Sequence, residues 1–180
     1  MRTPKQFIIE GVDRMGKSTL IDGLLQELGY HLVVHYEKPK KLDAFAHHEN
    51  SLLSYQMAAY QQMFRLIDAH RHNRVILDRA HLGELVYGPL YRKYDASYVL
   101  EMEQQIPTHD CRLVLLTTSD FSFIQDDGLS LDFSKKELEQ DLFKQAFASS
   151  SIEDKVLVDV SNGRGGYKTP EQILAEVLRK

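Results

Sequence analysis

Five short apolar runs separated by helix-length segments constrain this 180-residue chain more than any other feature. The runs are Phe7-Ile8-Ile9, Leu32-Val33-Val34, Val75-Ile76-Leu77, Leu113-Val114-Leu115-Leu116 and Val156-Leu157-Val158. Continuous apolarity of this kind reads as strands buried on both faces of a parallel sheet. Helical patterns fall between the runs, over about 17–28, 50–72, 80–105 (broken near Pro89), 134–148 and 170–179. Thr169-Pro170-Glu171 marks the last helix start, with Thr169 as N-cap and Pro170 at the first helical position. The alternation predicts an α/β fold, a doubly wound five-stranded parallel sheet with helices on both faces, in a single domain over 1–180. Ligands of such a sheet bind at the carboxyl ends of its strands.

Composition narrows the class. Hydrophobic residues make up 43% and charged residues 27%, the balance of a soluble globular domain. The net charge of −4 lacks the basic excess of a duplex-DNA binder, so nucleic-acid contact would have to be local. Cys111 is the one cysteine, which fits a reducing, cytoplasmic setting. No apolar run approaches the length needed to span a bilayer, and the N-terminal residues carry no signal-peptide pattern. None of the 8 histidines has a Cys or acid partner at a zinc-site spacing.

Gly11-Val12-Asp13-Arg14-Met15-Gly16-Lys17-Ser18 fits G-x-x-x-x-G-K-[ST] and lies between the first strand and the first helix, the context that motif needs. Glycines let backbone N–H groups turn inward around phosphate oxygens, and the helix N-terminus adds about half a positive charge. Lys17 would reach the β- and γ-phosphates of ATP, and the Ser18 hydroxyl would ligate Mg²⁺. The nucleotide-binding residues are thus 11–18 with Thr19.

Glu10-Gly11-Val12-Asp13-Arg14-Met15-Gly16-Lys17-Ser18-Thr19 resembles the phosphate loop of thymidylate kinases, of the type with arginine inside the loop. The resemblance implies a P-loop kinase fold with a short lid. It also implies that Arg14 helps clamp the transferred phosphoryl group and that Asp13 contacts the acceptor's 3′-hydroxyl. In this type the lid carries no catalytic arginine, and no arginine occurs here between Arg112 and Arg164. A fixed guanidinium at Arg14 also suits the charge of a phosphoryl transition state. The plainer alternatives are a solvated arginine and a turn-stabilising Asp13.

Asp78-Arg79 ends the third strand, as a similar pair does in thymidylate kinases. Asp78 would sit in the outer shell of Mg²⁺, and Arg79 would bind the acceptor phosphate. By the resemblance Tyr87, nine residues beyond Asp78, packs near the sugar 2′ carbon and disfavours ribose. Two positions depart from the family. Gly83 stands where a serine is usual, and Ala58 stands where a base-reading arginine is usual. Gln56 and Tyr60 share a helix face at i, i+4 and are the candidate base readers; the alternative is a solvated face.

Lys38, in Glu37-Lys38-Pro39 after the second strand, would help hold the acceptor phosphate. Residues 122–133 mix acids, glycine and apolar side chains and suit a lid. Arg164, in the glycine-rich run 162–167, would stack on adenine. These features predict an ATP- and Mg²⁺-dependent kinase acting on a deoxynucleoside monophosphate, with dTMP as first acceptor. A deoxynucleoside kinase with Glu37 as base remains open. So do a kinase of modified pyrimidines in DNA and a non-catalytic nucleotide switch. The resemblance implies a homodimer, with the apolar residues of 50–72 (Leu52, Leu53, Met57, Met63, Phe64, Ile67) as its face or as core.

Overall fold

The computed structural model describes residues 4–29, 32–36, 51–105, 110–126 and 132–179. Strand β1 (Gln6–Glu10) leads into helix α1 (Lys17–Leu28). Then follow β2 (Leu32–His35), α2 (Ser51–Ala69), β3 (Val75–Asp78) and α3 (His81–Tyr87). A π-helical turn (Gly88–Arg92) precedes α4 (Tyr98–Glu103) and β4 (Cys111–Thr117). A 3₁₀ turn (Phe133–Lys135), α5 (Lys136–Ser149), β5 (Asp154–Asp159) and α6 (Pro170–Leu178) complete the chain. All five expected strands form, in the order β2-β3-β1-β4-β5, and every pairing is parallel.

The expected fold class is the observed one, with one difference in burial. β1, the first three residues of β3 and all of β4 are buried. β2 and β5 are the sheet edges and are only partly covered, with Leu157 48% exposed. Apolarity on both faces does not reveal which strand lies at an edge, because edge status depends on the pairing order.

The helices form at the expected places, and local signals explain two of the boundaries. Thr169 and Gln172 close a capping box at the start of α6, as the Thr-Pro signal predicts. The break near Pro89 falls in the π-helical turn, which ends at Lys93 in a left-handed conformation (φ 59°). α1 packs on α6, while α2 packs on α4 and α3 on α5. Met63, Phe64 and Ile67 of α2 are core residues, which leaves Leu52, Leu53 and Met57 for any contact between copies.

One buried polar cluster ties the helices of this layer together. Glu103, at the end of α4, is 1% exposed. Its Oε1 lies 2.6 Å from His81 Nε2 and accepts from Ser150 Oγ at 2.5 Å; its Oε2 accepts from the Ser151 N–H at 2.6 Å. Burial alone would raise its pKa, but His81 and the serine hydrogen bonds prevail and hold it at about 2. A carboxylate depressed from 4.5 in the unfolded chain stabilises the fold above pH 4.5, and that stability is lost as pH falls toward 2. The stability of the wild type over Glu103→Gln should therefore shrink by roughly 3 kcal/mol between pH 5 and pH 2. Denaturant unfolding at stepped pH measures it, and a pH-independent difference would refute the assignment.

Candidate active site

β1 is the central strand, so the loop after it emerges in the middle of the sheet's carboxyl edge. Gly11 there has φ 137°, and a Cβ on it would lie 2.5 Å from the Leu116 carbonyl oxygen of β4. Only glycine lets the chain leave β1 that close to its neighbour. Gly16 (φ 79°) caps α1 without a side-chain hydrogen bond, so the first-turn N–H groups remain available to an anion. Val12 and Met15 point into the core, so they offer only backbone to a ligand. Ser18 and Thr19 are exposed at the helix start.

Lys17 is 6% exposed, and its ammonium donates to the carbonyls of Gly11 (2.9 Å) and Val12 (2.7 Å). Burial, reinforced by Arg79, lowers its pKa to about 7; Asp13, Asp78 and Glu10 offset only part of this.

The β3 end faces this loop through two links. Arg79 adopts φ 69° and donates its N–H to the Ile9 carbonyl at 3.0 Å. Its Nη2 lies 2.5 Å from Asp13 Oδ1. Burial opposes the charge on Asp13, but Arg79, Lys17 and Lys136 outweigh it and hold Asp13 below the usual carboxylate range. The second link is Glu10, 1% exposed, whose Oε1 accepts from the N–H groups of Ala80 (2.9 Å) and Leu82 (3.0 Å) at the start of α3. Burial raises its pKa against the pull of His81 and the α3 N–H groups. Glu10 thus fastens the phosphate loop's strand to the helix behind Arg79, a role that sequence reasoning did not assign. Its position directly before the glycine motif was the available signal. The departure at Gly83 lies beside it: a Cβ there would sit 3.8 Å from Glu10 Oε2, an oxygen without a hydrogen-bond partner.

Asp78 Oδ2 lies 2.9 Å from His35 Nδ1, while its Oδ1 is buried without a partner. Tyr87 is half-buried between Phe143 (5.7 Å, edge-on) and Tyr91 (6.1 Å). Its hydroxyl has no partner, and burial raises its pKa.

Gln56 and Tyr60 are 0% and 1% exposed, so the solvated-face alternative is overturned. The ring of Tyr36, just past β2, stacks on Tyr60 at 4.8 Å, and its hydroxyl donates to Gln56 Oε1. Gln56 Nε2 is buried without a partner. Nearby Glu84 accepts from Arg92 (2.5 Å), Tyr94 (2.5 Å) and Tyr98 (3.0 Å). Sequence reasoning missed Tyr36 and this group, because they converge from separate elements. Glu37, Lys38 and lid residues 127–131 lie outside the described residues.

A cavity of about 480 Å³ opens over the loop. Arg14, Lys17, Ser18 and Arg79 line one part of it, and Tyr167, Lys168, Pro170 and Ile173 line another. Arg164 is exposed and does not line this cavity. Tyr167, from the same run, lines it instead. Its hydroxyl donates to the Arg14 carbonyl at 2.6 Å, and Phe123 meets its ring edge-on at 4.6 Å. Both residues belong to the run quoted above, and only the bridge between Ser161 and Tyr167 shows which one turns inward.

No protein-family model and no curated protein matches the sequence. Several solved structures share its fold. The YorR protein of Bacillus subtilis, solved in complex with phosphorylated GDP, is 20% identical, with 96% of this chain and 92% of that one covered and a TM-score of 0.66. Thymidylate kinase of Candida albicans is 15% identical over 97% and 89% of the two chains, with a TM-score of 0.57. A gluconokinase of Sinorhizobium meliloti is 14% identical over 99% and 91%, with a TM-score of 0.53. The chain has the P-loop kinase fold: a five-stranded parallel sheet flanked by helices, with the phosphate loop at the carboxyl end of its central strand.

Proposed function

We propose that this protein is a nucleotide kinase that transfers the γ-phosphoryl group of ATP to a nucleoside monophosphate, with dTMP as the preferred acceptor. The observation that carries this reading is the meeting of Lys17, Arg14 and Arg79 on one cavity at the head of α1. A phosphate-binding loop needs only the first of these. The guanidinium of Arg79, held by Asp13 on a left-handed backbone, would be a second anion site facing it. Two anion sites in one crevice suit a donor triphosphate and an acceptor phosphate. The fold shared with a thymidylate kinase and with a protein solved with a phosphorylated nucleotide agrees with this reading.

An acceptor phosphate monoester is already a nucleophile at neutral pH, so no general base is required. Catalysis then rests on positioning and electrostatics. The loop N–H groups would seat the donor phosphates. Lys17 would leave its carbonyls for the β- and γ-oxygens, and Arg14 would face the group in transfer. Arg79 would hold the acceptor phosphate, and Asp13 its sugar hydroxyl. Magnesium fits the residues present, since Ser18 is exposed at the loop and Asp78 Oδ1 is buried without a partner. Bound magnesium would offset phosphate charge, held by Ser18 and, through water, by Asp78. Tyr167 would pack on the donor base, and Gln56 with Tyr60, buried under Tyr36 in the free protein, would read the acceptor base only once Tyr36 moves off them. Cytoplasmic residence belongs to the same proposal; Cys111 is buried and its thiol pKa is raised by burial.

The test is ADP release from ATP·Mg²⁺ with dTMP, dUMP, dCMP, dGMP, dAMP, thymidine and a duplex containing a modified pyrimidine. Turnover highest on dTMP is the expected result. Turnover only on thymidine or on the duplex would overturn the acceptor, and ATP binding without turnover on any of them would overturn the enzyme.

A further inference from the structure

Lys136 is the first residue of α5 and lies within the arginine-free stretch between Arg112 and Arg164. Its side chain is 4% exposed. Its ammonium lies 2.9 Å from Glu139 Oε2, one turn along the same helix, and 3.6 Å from Asp13 Oδ2 in the phosphate loop. Glu139 is 1% exposed, and its other oxygen accepts from the Tyr91 hydroxyl at 2.5 Å. Both oxygens of Glu139 are therefore occupied. Asp13 has a cation at each oxygen too, with Arg79 hydrogen-bonded to Oδ1 and Lys136 in ion-pair range of Oδ2.

A buried Lys–Glu pair contributes little to stability compared with apolar side chains of the same volume. Its partner within α5 already balances the Lys136 charge, so the contact with Asp13 is not needed for charge compensation. That contact does constrain Asp13. A carboxylate held by one guanidinium alone tends to pair with it bidentately, taking both donors that a phosphate would use. A second cation on Oδ2 prevents this.

We infer that Lys136 is a positioning residue of the transfer site: by holding the second oxygen of Asp13 it leaves Arg79 free to bind the acceptor phosphate. This rests on the kinase reading above. Sequence reasoning had no signal for Lys136, because nothing local separates it from its only half-buried neighbour Lys135.

The test is initial-rate kinetics and calorimetric binding of the monophosphate that the wild type turns over best. Lys136→Met alone strands the buried Glu139, so the informative variant is Lys136→Met/Glu139→Gln, which removes both charges. The acceptor KM and dissociation constant should rise roughly tenfold or more, with the ATP KM within about twofold. Lys136→Arg should recover most of the loss. Lys144→Met, on the exposed face of α5, should change neither constant. An unchanged acceptor KM in the double variant, or an equal rise in the ATP KM, would overturn the positioning role while leaving the kinase reading intact. A wild type that neither binds nor phosphorylates any monophosphate would overturn both.

Discussion

Replacing Lys17 with methionine is expected to abolish phosphoryl transfer and, at pH 6, to raise the melting temperature. The two effects share one cause. The free protein holds the Lys17 ammonium almost out of water, against two carbonyl oxygens and close to Arg79. Its pKa falls from 10.5 to about 7. Between those values the unfolded chain binds a proton that the folded chain has released, so this group makes stability rise with pH. Below pH 7 the folded protein bears the full cost of the buried charge, on the order of a few kcal/mol. Methionine keeps the stem and removes the charge. The lost hydrogen bonds to Gly11 and Val12 are charge-assisted and cost about 1.5 kcal/mol each, less than the gain.

The advantage of Lys17→Met should be largest at pH 6 and should shrink as pH rises through 7 toward 10.5. Nucleotide phosphates supply the countercharge that the free site lacks. Binding ATP should therefore take up a proton above pH 7 and weaken as pH rises toward 9. Calorimetry in buffers of different ionisation enthalpy measures the uptake. Transfer should drop by a factor on the order of 10³ or more. A variant that keeps its turnover, or that melts lower than the wild type at pH 6, would remove Lys17 from the assigned role.

Replacing Arg79 should cut kcat/KM for the acceptor by about 10³ while changing the ATP KM by no more than a few-fold. The guanidinium is the group that faces the loop from β3, and it is held 2.5 Å from Asp13. Arg79→Lys should stay strongly impaired, since an ammonium cannot bond both a carboxylate and a phosphate in a planar fork. The backbone separates a functional loss from a folding loss. Arg79 has φ 69°, so Arg79→Gly should be about 1 kcal/mol more stable than Arg79→Ala and equally inactive. Steady-state kinetics with each substrate varied, alongside denaturant unfolding of both variants, provides the comparison. An equal loss of ATP affinity in Arg79→Ala would move Arg79 to the donor side of the crevice.

Much of the candidate site was legible because its signals are local. The glycine motif, its strand and its helix are consecutive in the chain, and short-range rules govern each. The same holds for Asp78-Arg79, which follow directly from the β3 run, and for the capping box at Thr169. Pro89 marked its break by lacking an N–H.

What the sequence alone determined is the alternation of strands and helices, the phosphate loop and the two residues at the end of β3. These depend on periodicity and turn chemistry over fewer than about twenty residues. Only the tertiary structure decided which strands are edges, that Gln56 and Tyr60 lie buried under Tyr36, that Tyr167 rather than Arg164 lines the cavity, and that Glu10 and Lys136 reach the loop's neighbours. Each of those facts is a contact between residues far apart in the chain. Charged and aromatic side chains of one type look alike in sequence, and pairing order and helix packing alone select which of them are buried together.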